Sequence, residues 1–341
     1  VFAGLALGSS ALSVGLVQGV RGVGTDLRQA DVVDVWVPPD GSPARRCRTS
    51  AYFGLKTGTH TKLDVRLQPV GAEEPAASSP AWLSGLPPDL EGLERSYVAS
   101  EGYTVRPGQG MMEAVPIRAT LKRLQGCCVG PLGGTFSASI GFDSDRIAPG
   151  SWVRNDLGFD LHHCWLIHTT VSRMGGMSRG SQIHVYQVAG VLKTGQGRYP
   201  IDSIQSPRPF EWPRLVDRHR EWARHFVFLE ARPRSEMPTK FTVDRFQAAL
   251  LLLTTLGEYQ AEGTGRSRDV DFTNPFAQHL DLSRLFTEDV AVFIGFADGP
   301  GPVRLEVRPA GGSDEAWRVL PPQESRSMFR FIVPVRAEVS P

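Results

Sequence analysis

The sequence is poor in lysine, poor in cysteine and almost without net charge, and each shortage excludes something. Five lysines (Lys56, Lys62, Lys122, Lys193 and Lys240) stand against 32 arginines. That bias reads as genome composition rather than function, because no Lys/Arg-rich block or RNP-like motif accompanies it. The formal net charge over 341 residues is +1, so the chain has no basic field to attract nucleic acid. Four cysteines, Cys47, Cys127, Cys128 and Cys164, are too few for a disulfide scaffold. None forms a CxxC pair, which argues against a zinc ribbon. A bridge between the adjacent Cys127 and Cys128 would strain the peptide between them. Cys47 or Cys164 makes a better partner for either, and buried free thiols are the simpler alternative. Also missing are GxSxG, HExxH, the phosphate-binding GxxxxGK[ST] and a GxGxxG between strand and helix. "GTGR" (263–266) and "GPGP" (299–302) read as turns.

What is present is the composition of a globular chain, 41% hydrophobic and 21% charged, and long enough for two folded modules. No charge occurs from Val1 to Val20, and the first is Arg21. Twenty helical residues span about 30 Å, the thickness of a bilayer's hydrocarbon core. Gly4 and Gly8, and again Gly15 and Gly19, have the spacing that lets helices approach closely in lipid. Residues 1–22 are therefore expected to form a transmembrane helix packed through those glycines against other membrane-protein subunits. Ser9, Ser10, Ser13 and Gln18 moderate its hydrophobicity. Asp26, Asp31 and Asp34 are interleaved with the arginines that follow, so orientation cannot be read.

From Asp31 onward the texture is that of short strands. "DVVDVWV" (31–37) runs into Pro38-Pro39. "TKLDVRLQPV" (61–70) sets Leu63, Val65 and Leu67 on one face, and "GGTFSASIGFD" (133–143) sets Phe136, Ala138, Ile140 and Phe142 on another. "RTSAYFGL" (48–55), "GSWVRND" (150–156), "SQIHVYQVAGVL" (181–192), "DVAVFIGFAD" (289–298), "PVRLEVRPA" (302–310), "AWRVLPP" (316–322) and "SMFRFIVPVRAEV" (327–339) continue the pattern. "GMMEAVPIRATLKRLQG" (110–126) fits strand or helix. Helical periodicity appears at 213–232 and 242–259. The expected fold is mainly β: two β-sandwich-like modules, at 23–130 and 131–341, the second with a helical insertion near 212–260.

The densest cluster of chemistry is "LHHCWLIH" (161–168), which holds three of the eight histidines. Strand alternation puts Leu161, His163, Trp165 and Ile167 on one face and His162, Cys164, Leu166 and His168 on the other. His162 and Cys164 would then sit side by side as metal ligands or a Cys–His nucleophile pair, but a zinc site needs three or four ligands. The simpler reading is a buried strand. Asp143/Asp145 and Asp269/Asp271 lack the further oxygens that a calcium loop needs. Trp36, Tyr52, Phe53, Trp82, Trp152 and Trp165 read as core or interface anchors.

"GSWVRNDLGFDLHHCWLI" followed by "MGGMSRG", with "AYFGLKTG", "HLDLSRL…DVAVFIGFADGP" and "SMFRFIVPV", resembles uncharacterised bacterial membrane-anchored envelope proteins. The resemblance covers about half the chain after residue 30 and holds no catalytic motif. It implies an extracytoplasmic β domain. On that footing the chain is expected to be a non-enzymatic, single-pass subunit of a bacterial membrane complex, acting in assembly, docking or shielding. Its partners would be other membrane-protein subunits. Neither cofactor nor catalytic residue is assigned, and neither nucleic acid nor a small-molecule substrate is implied. Two alternatives come from other classes: a viral jelly-roll coat protein, and a metal-dependent hydrolase using His162 and Cys164.

Overall fold

The computed structural model describes residues 25–58, 61–71, 81–85, 103–106, 108–117, 122–143, 146–174, 177–202, 254, 280–285, 287 and 289–336. Seventeen strands run along them. They are β1 (Thr25–Trp36), β2 (Ala44–Thr57), β3 (Thr61–Pro69), β4 (Ala81–Gly85), β5 (Thr104–Arg106), β6 (Met111–Ile117), β7 (Lys122–Ser139), β8 (Phe142–Asp143) and β9 (Arg146–Ile147). After them come β10 (Trp152–Asp156), β11 (Leu161–Met174), β12 (Met177–Leu192), β13 (Tyr199–Pro200), β14 (Val290–Asp298), β15 (Val303–Pro309), β16 (Arg318–Leu320) and β17 (Glu324–Pro334). The order β12-β11-β14-β17-β1-β2-β7-β10-β13, with β4 paired to β7, makes a ten-stranded sheet. A five-stranded sheet has the order β16-β15-β3-β6-β5.

The chain divides into two compact units, 1–31 with 49–130 and 299–326, and 32–48 with 131–298 and 327–341. One boundary between the units falls at 130/131. Segments 32–48 and 299–326 do not follow it, because β1, β2, β7 and β17 each place one part in either unit.

The expected transmembrane helix is corrected. Among the described residues no helix is long and apolar enough to cross a membrane, and the fold is built from strands. Residues 1–22, with Gly4, Gly8, Gly15 and Gly19, lie outside the described residues, as do the helices expected at 213–232 and 242–259 except Thr254. The reading rested on an absence of charge. An uncharged apolar run does not by itself choose between span, buried helix and strand.

In the first unit the period-2 pattern builds a sandwich. Leu63, Val65 and Leu67 of β3 and Val303, Leu305 and Val307 of β15 pack against Leu27, Ala51, Phe53, Leu55, Leu83 and Leu124. Their alternate residues, Asp64, Arg66, Arg304, Glu306 and Arg308, fall on the outer face, as strand alternation requires.

In the second unit Val33, Val35, Phe136, Leu161, Cys164, Leu166, Phe293, Phe329 and Phe331 share one core. The sheet curves around it so far that Phe136 of β7 stacks on Phe331 of β17, with centroids 3.6 Å apart, although β1 and β2 lie between those strands. The opposite face is buried as well, at Val32, Val292, Ile294, Met328, Arg330 and Ile332. Arg330 is fully buried there and donates from Nε to Asp34 Oδ1 at 2.6 Å. Its Nη1 donates to Thr254 Oγ1 at 3.3 Å and to the Leu280 carbonyl. One guanidinium thus ties β1 and β17 to Thr254 and Leu280. Leu282 N–H also donates to Thr254 O at 2.9 Å.

Candidate functional site

The strand with the histidines is not regular. His163 has φ +49°, and the register of β11 against β14 shifts between His162 and Trp165. A bulge inserts one residue and reverses alternation beyond it. Leu161 therefore shares the core with Cys164 and Leu166, whereas simple alternation had put it on the other face. His162, next to Leu161 on an extended strand, points the other way. Its cross-strand partners are Val191 and Phe296. The expected pairing of His162 with Cys164 is thus corrected: the bulge turns them to opposite faces.

Cys164 Sγ donates to Leu161 O at 3.4 Å. Burial pushes its thiol up to about 12, with a backbone hydrogen bond at Leu192 opposing the shift. A thiol held that high is not a ready nucleophile or metal ligand. All four cysteines are free and buried. Among the described residues no group of three or more His, Cys, Asp or Glu is placed to hold a metal. Asp145, Asp269 and Asp271 lie outside the described residues.

His168 is buried in the same unit and stacks on Phe142, with centroids 3.6 Å apart and planes 5° apart. It lies opposite His184 of β12. The His184 ring shares a 2.8 Å hydrogen bond with Thr170 Oγ1.

The "NDLGFD" stretch locks the far end of this hairpin. Asn155 Oδ1 accepts from Leu157 N–H at 3.1 Å, and Asn155 Nδ2 donates to the carbonyls of Phe159 and Leu192 at 2.9 and 3.1 Å. Asp160 Oδ1 accepts from Thr194 N–H at 2.9 Å. Gly158 turns between them at φ +83°, a conformation that L side chains rarely adopt. These residues pin the end of β12 rather than perform chemistry.

β12 is the site with the most unexplained capacity. It is sixteen residues long, ends the ten-stranded sheet, and pairs only with β11 among the described residues. From Ser181 to Leu192 its sequence has neither charge nor proline. Tyr186, Val188 and Leu192 enter the core, while Gln187 and Val191 are exposed. The sequence reading identified the strand but not its position at the edge. The signal was there in the twelve uncharged residues, but only the topology shows that, among the described residues, they end the sheet.

The first unit carries a different cluster. On the outer sheet face Asp64 sits opposite Arg308 and Arg66 opposite Glu306. Arg308 Nε donates to Asp64 at 3.0 Å and its Nη1 to Asp314 at 2.6 Å. Arg66 Nε and Arg304 Nε reach Glu306 at 2.7 and 2.9 Å. The Trp317 ring covers the guanidiniums of both Arg66 and Arg308, at 4.3 and 4.6 Å. Burial alone would raise the Asp64 carboxyl. Hydrogen bonds from Ala114 N–H, Arg308 and Gly311 N–H outweigh it and hold the group below its usual range. Its opposite charges are matched within the cluster, so it reads as a cohesive surface and not as an ion site.

No protein-family model matches the chain, and no curated protein matches it by sequence. Among solved structures it is similar to the yeast delta-COP-I mu-homology domain complexed with the Dsl1 WxWxV peptide, at 10% identity over 92% of this chain and 98% of that one, TM-score 0.28. The yeast delta-COP-I mu-homology domain without the peptide gives 9% over 92% and 98%, TM-score 0.27. The Danio rerio Fcho1 mu homology domain with bound Eps15 peptide gives 5% over 93% and 98%, TM-score 0.31. At TM-scores of this size the likeness carries neither fold nor ligand over to this chain. None of these findings bears on the resemblance to envelope proteins.

Proposed function

We propose that this chain is a non-enzymatic docking protein, which joins an assembly by accepting an extended strand of a partner protein along the outer edge of β12. The observation that supports this reading is the character of the edge. An unpaired strand presents a row of N–H and C=O groups, and proteins that do not use such an edge blunt it with charge, proline or short length. β12 is sixteen residues long, and over its last twelve it has neither charge nor proline. Added strands take affinity from the main chain and specificity from alternate side chains. Among the described side chains of this stretch Gln187 and Val191 are exposed, so they would contribute to the specificity.

A photo-crosslinking residue in place of Val191 tests the reading in cells that make the protein. It should yield a discrete protein adduct, and Gln187→Lys in the same chain should suppress it. The same reagent at Val319, exposed on β16, is the control. Equal adducts from both positions, or none from Val191, would remove the edge from consideration.

A further inference from the structure

We propose that Lys122 is a modification site of the first unit, an amine that takes a short acyl group from a small acyl thioester.

Lys122 opens β7 and is half-buried. Its Nζ lies over the Tyr103 ring, 5.2 Å from the centroid. Tyr103 is itself packed against the core of the unit. Gly85, which ends β4 and lies opposite Leu124 of β7, makes room for this arrangement. A Cβ at position 85 would stand 2.9 Å from the Tyr103 hydroxyl oxygen and 3.9 Å from Lys122 Cε. A side chain there would push the ring away from the lysine.

An ammonium is strongly hydrated, and taking water from it favours the neutral amine. A ring face beneath the charge works the other way and attracts the cation. Desolvation prevails and holds the Lys122 ammonium below its usual range. More of Lys122 is therefore neutral amine at neutral pH, and a desolvated lysine is an activated nucleophile. A half-buried place beside a ring excludes bulky reagents and suits a short acyl chain. In the reaction Nζ attacks the thioester carbonyl carbon. The C–N bond forms, the C–S bond breaks, and sulfur leaves as a thiolate that takes up the proton shed by nitrogen. The amide that results carries no charge, so the cost of holding an ammonium here disappears.

Treating the full chain with N,S-diacetylcysteamine, a small acetyl thioester, and following each lysine by mass spectrometry tests this. Lys62 and Lys193 are exposed, so access alone would make them the faster sites. At pH 7 Lys122 should instead react several-fold faster than either. Above the ordinary lysine value, about 10.4, the advantage should vanish or reverse, because every amine is then neutral and access decides. Unfolding in urea at pH 7 should also abolish it. Gly85→Ala and Tyr103→Ala should each slow Lys122 to the rate of the exposed lysines, by letting water back to the amine.

If Lys122 reacts no faster than Lys62 and Lys193 at pH 7, the proposal is overturned. An advantage that survives urea overturns it too, since it would belong to the local sequence and not to the fold. So does a Gly85→Ala protein with unchanged circular dichroism that keeps the full advantage, because the ring then has no part in the reactivity.

Discussion

In the first unit the outer strands β5 and β16 are three residues long, and each carries an arginine, Arg106 and Arg318. In the second, β13 is two residues long and ends in Pro200, while β12 runs for sixteen. Three of these four edges follow the usual rules for preventing strand addition: brevity, charge and proline. β12 follows none of them along its last twelve residues. One chain thus contains both the protective device and its omission. Common composition cannot explain the difference, and it is the basis of the proposal that β12 docks a partner.

The units also differ in where they keep charge. The first spreads it over an outer sheet face, as Asp64, Arg66, Arg304, Glu306 and Arg308 under Trp317. The second buries one pair, Arg330 and Asp34, with Arg330 also bonded to Thr254 Oγ1 and the Leu280 carbonyl. A fully buried charge is the more sensitive arrangement. Removing one partner of a buried pair leaves the other uncompensated and typically costs about 3–5 kcal/mol. Asp34→Ala should therefore give the largest loss of stability, read as a lowered urea midpoint. Asp34→Leu with Arg330→Met should recover much of it, because apolar residues of similar volume suit that face. If the single and double variants are equally damaged, the pair acts through the Arg330 hydrogen bonds to Thr254 and Leu280 and not through charge compensation.

The outer face of the first unit should respond less, and with pH. Asp64 accepts hydrogen bonds from Ala114 N–H, Arg308 and Gly311 N–H. Its folded-state carboxyl lies below the usual value. The stability it contributes is therefore present above the unfolded carboxylate value, about 3.9, and is lost as pH falls through the folded value. Asp64→Asn should cost about 1–3 kcal/mol at pH 7 and less at pH 3, where the wild type has begun to lose the same contribution. A deficit that grows toward low pH would show that the network stabilises through some other group.

Much of this fold was legible in the sequence. Leu63/Val65/Leu67, Phe136/Ala138/Ile140/Phe142 and Phe329/Phe331/Val333 were set on single faces by period-2 spacing alone, and all ten side chains are buried. Three things were not legible, each for a physical reason. The bulge at His163 is a backbone event, and "LHHCW" reads as plain alternation without it. Asp31 and Asp34 looked like charges trailing an apolar segment. Asp31 accepts from Gln29 and from Gly301 N–H, and Asp34 binds Arg330. Gly301 and Arg330 lie 270 and 296 residues further along the chain, beyond any local pattern. The place of β12 at the end of the described sheet depends on strand order, which periodicity does not encode.

Trp317 offers a smaller test of the same contrast. It lies over Arg66 and Arg308 on the partly exposed face of the first unit. A cation–π contact at such a site is worth about 0.5–1 kcal/mol. Trp317→Ala should cost roughly that, and Trp317→Phe less, as read by thermal unfolding. A loss as large as that of Asp34→Ala would mean that the ring seals the whole ion-pair face against water.

The smallest expected effect on stability is also the most informative about function. Val191 on β12 and Val319 on β16 are exposed to similar extents, 44% and 47%. Lysine at either position should change the stability of the isolated monomer by no more than about 0.5 kcal/mol, as is usual for surface substitutions away from special features. Their behaviour should diverge only where a partner protein is present. A photo-crosslinking residue should give a discrete protein adduct from position 191 and none from position 319, and Q187K should suppress the adduct. Crosslinking in cells that make the protein measures this. If both edges respond alike, length and missing charge do not distinguish β12, and the contrast between the units' edges has no functional meaning.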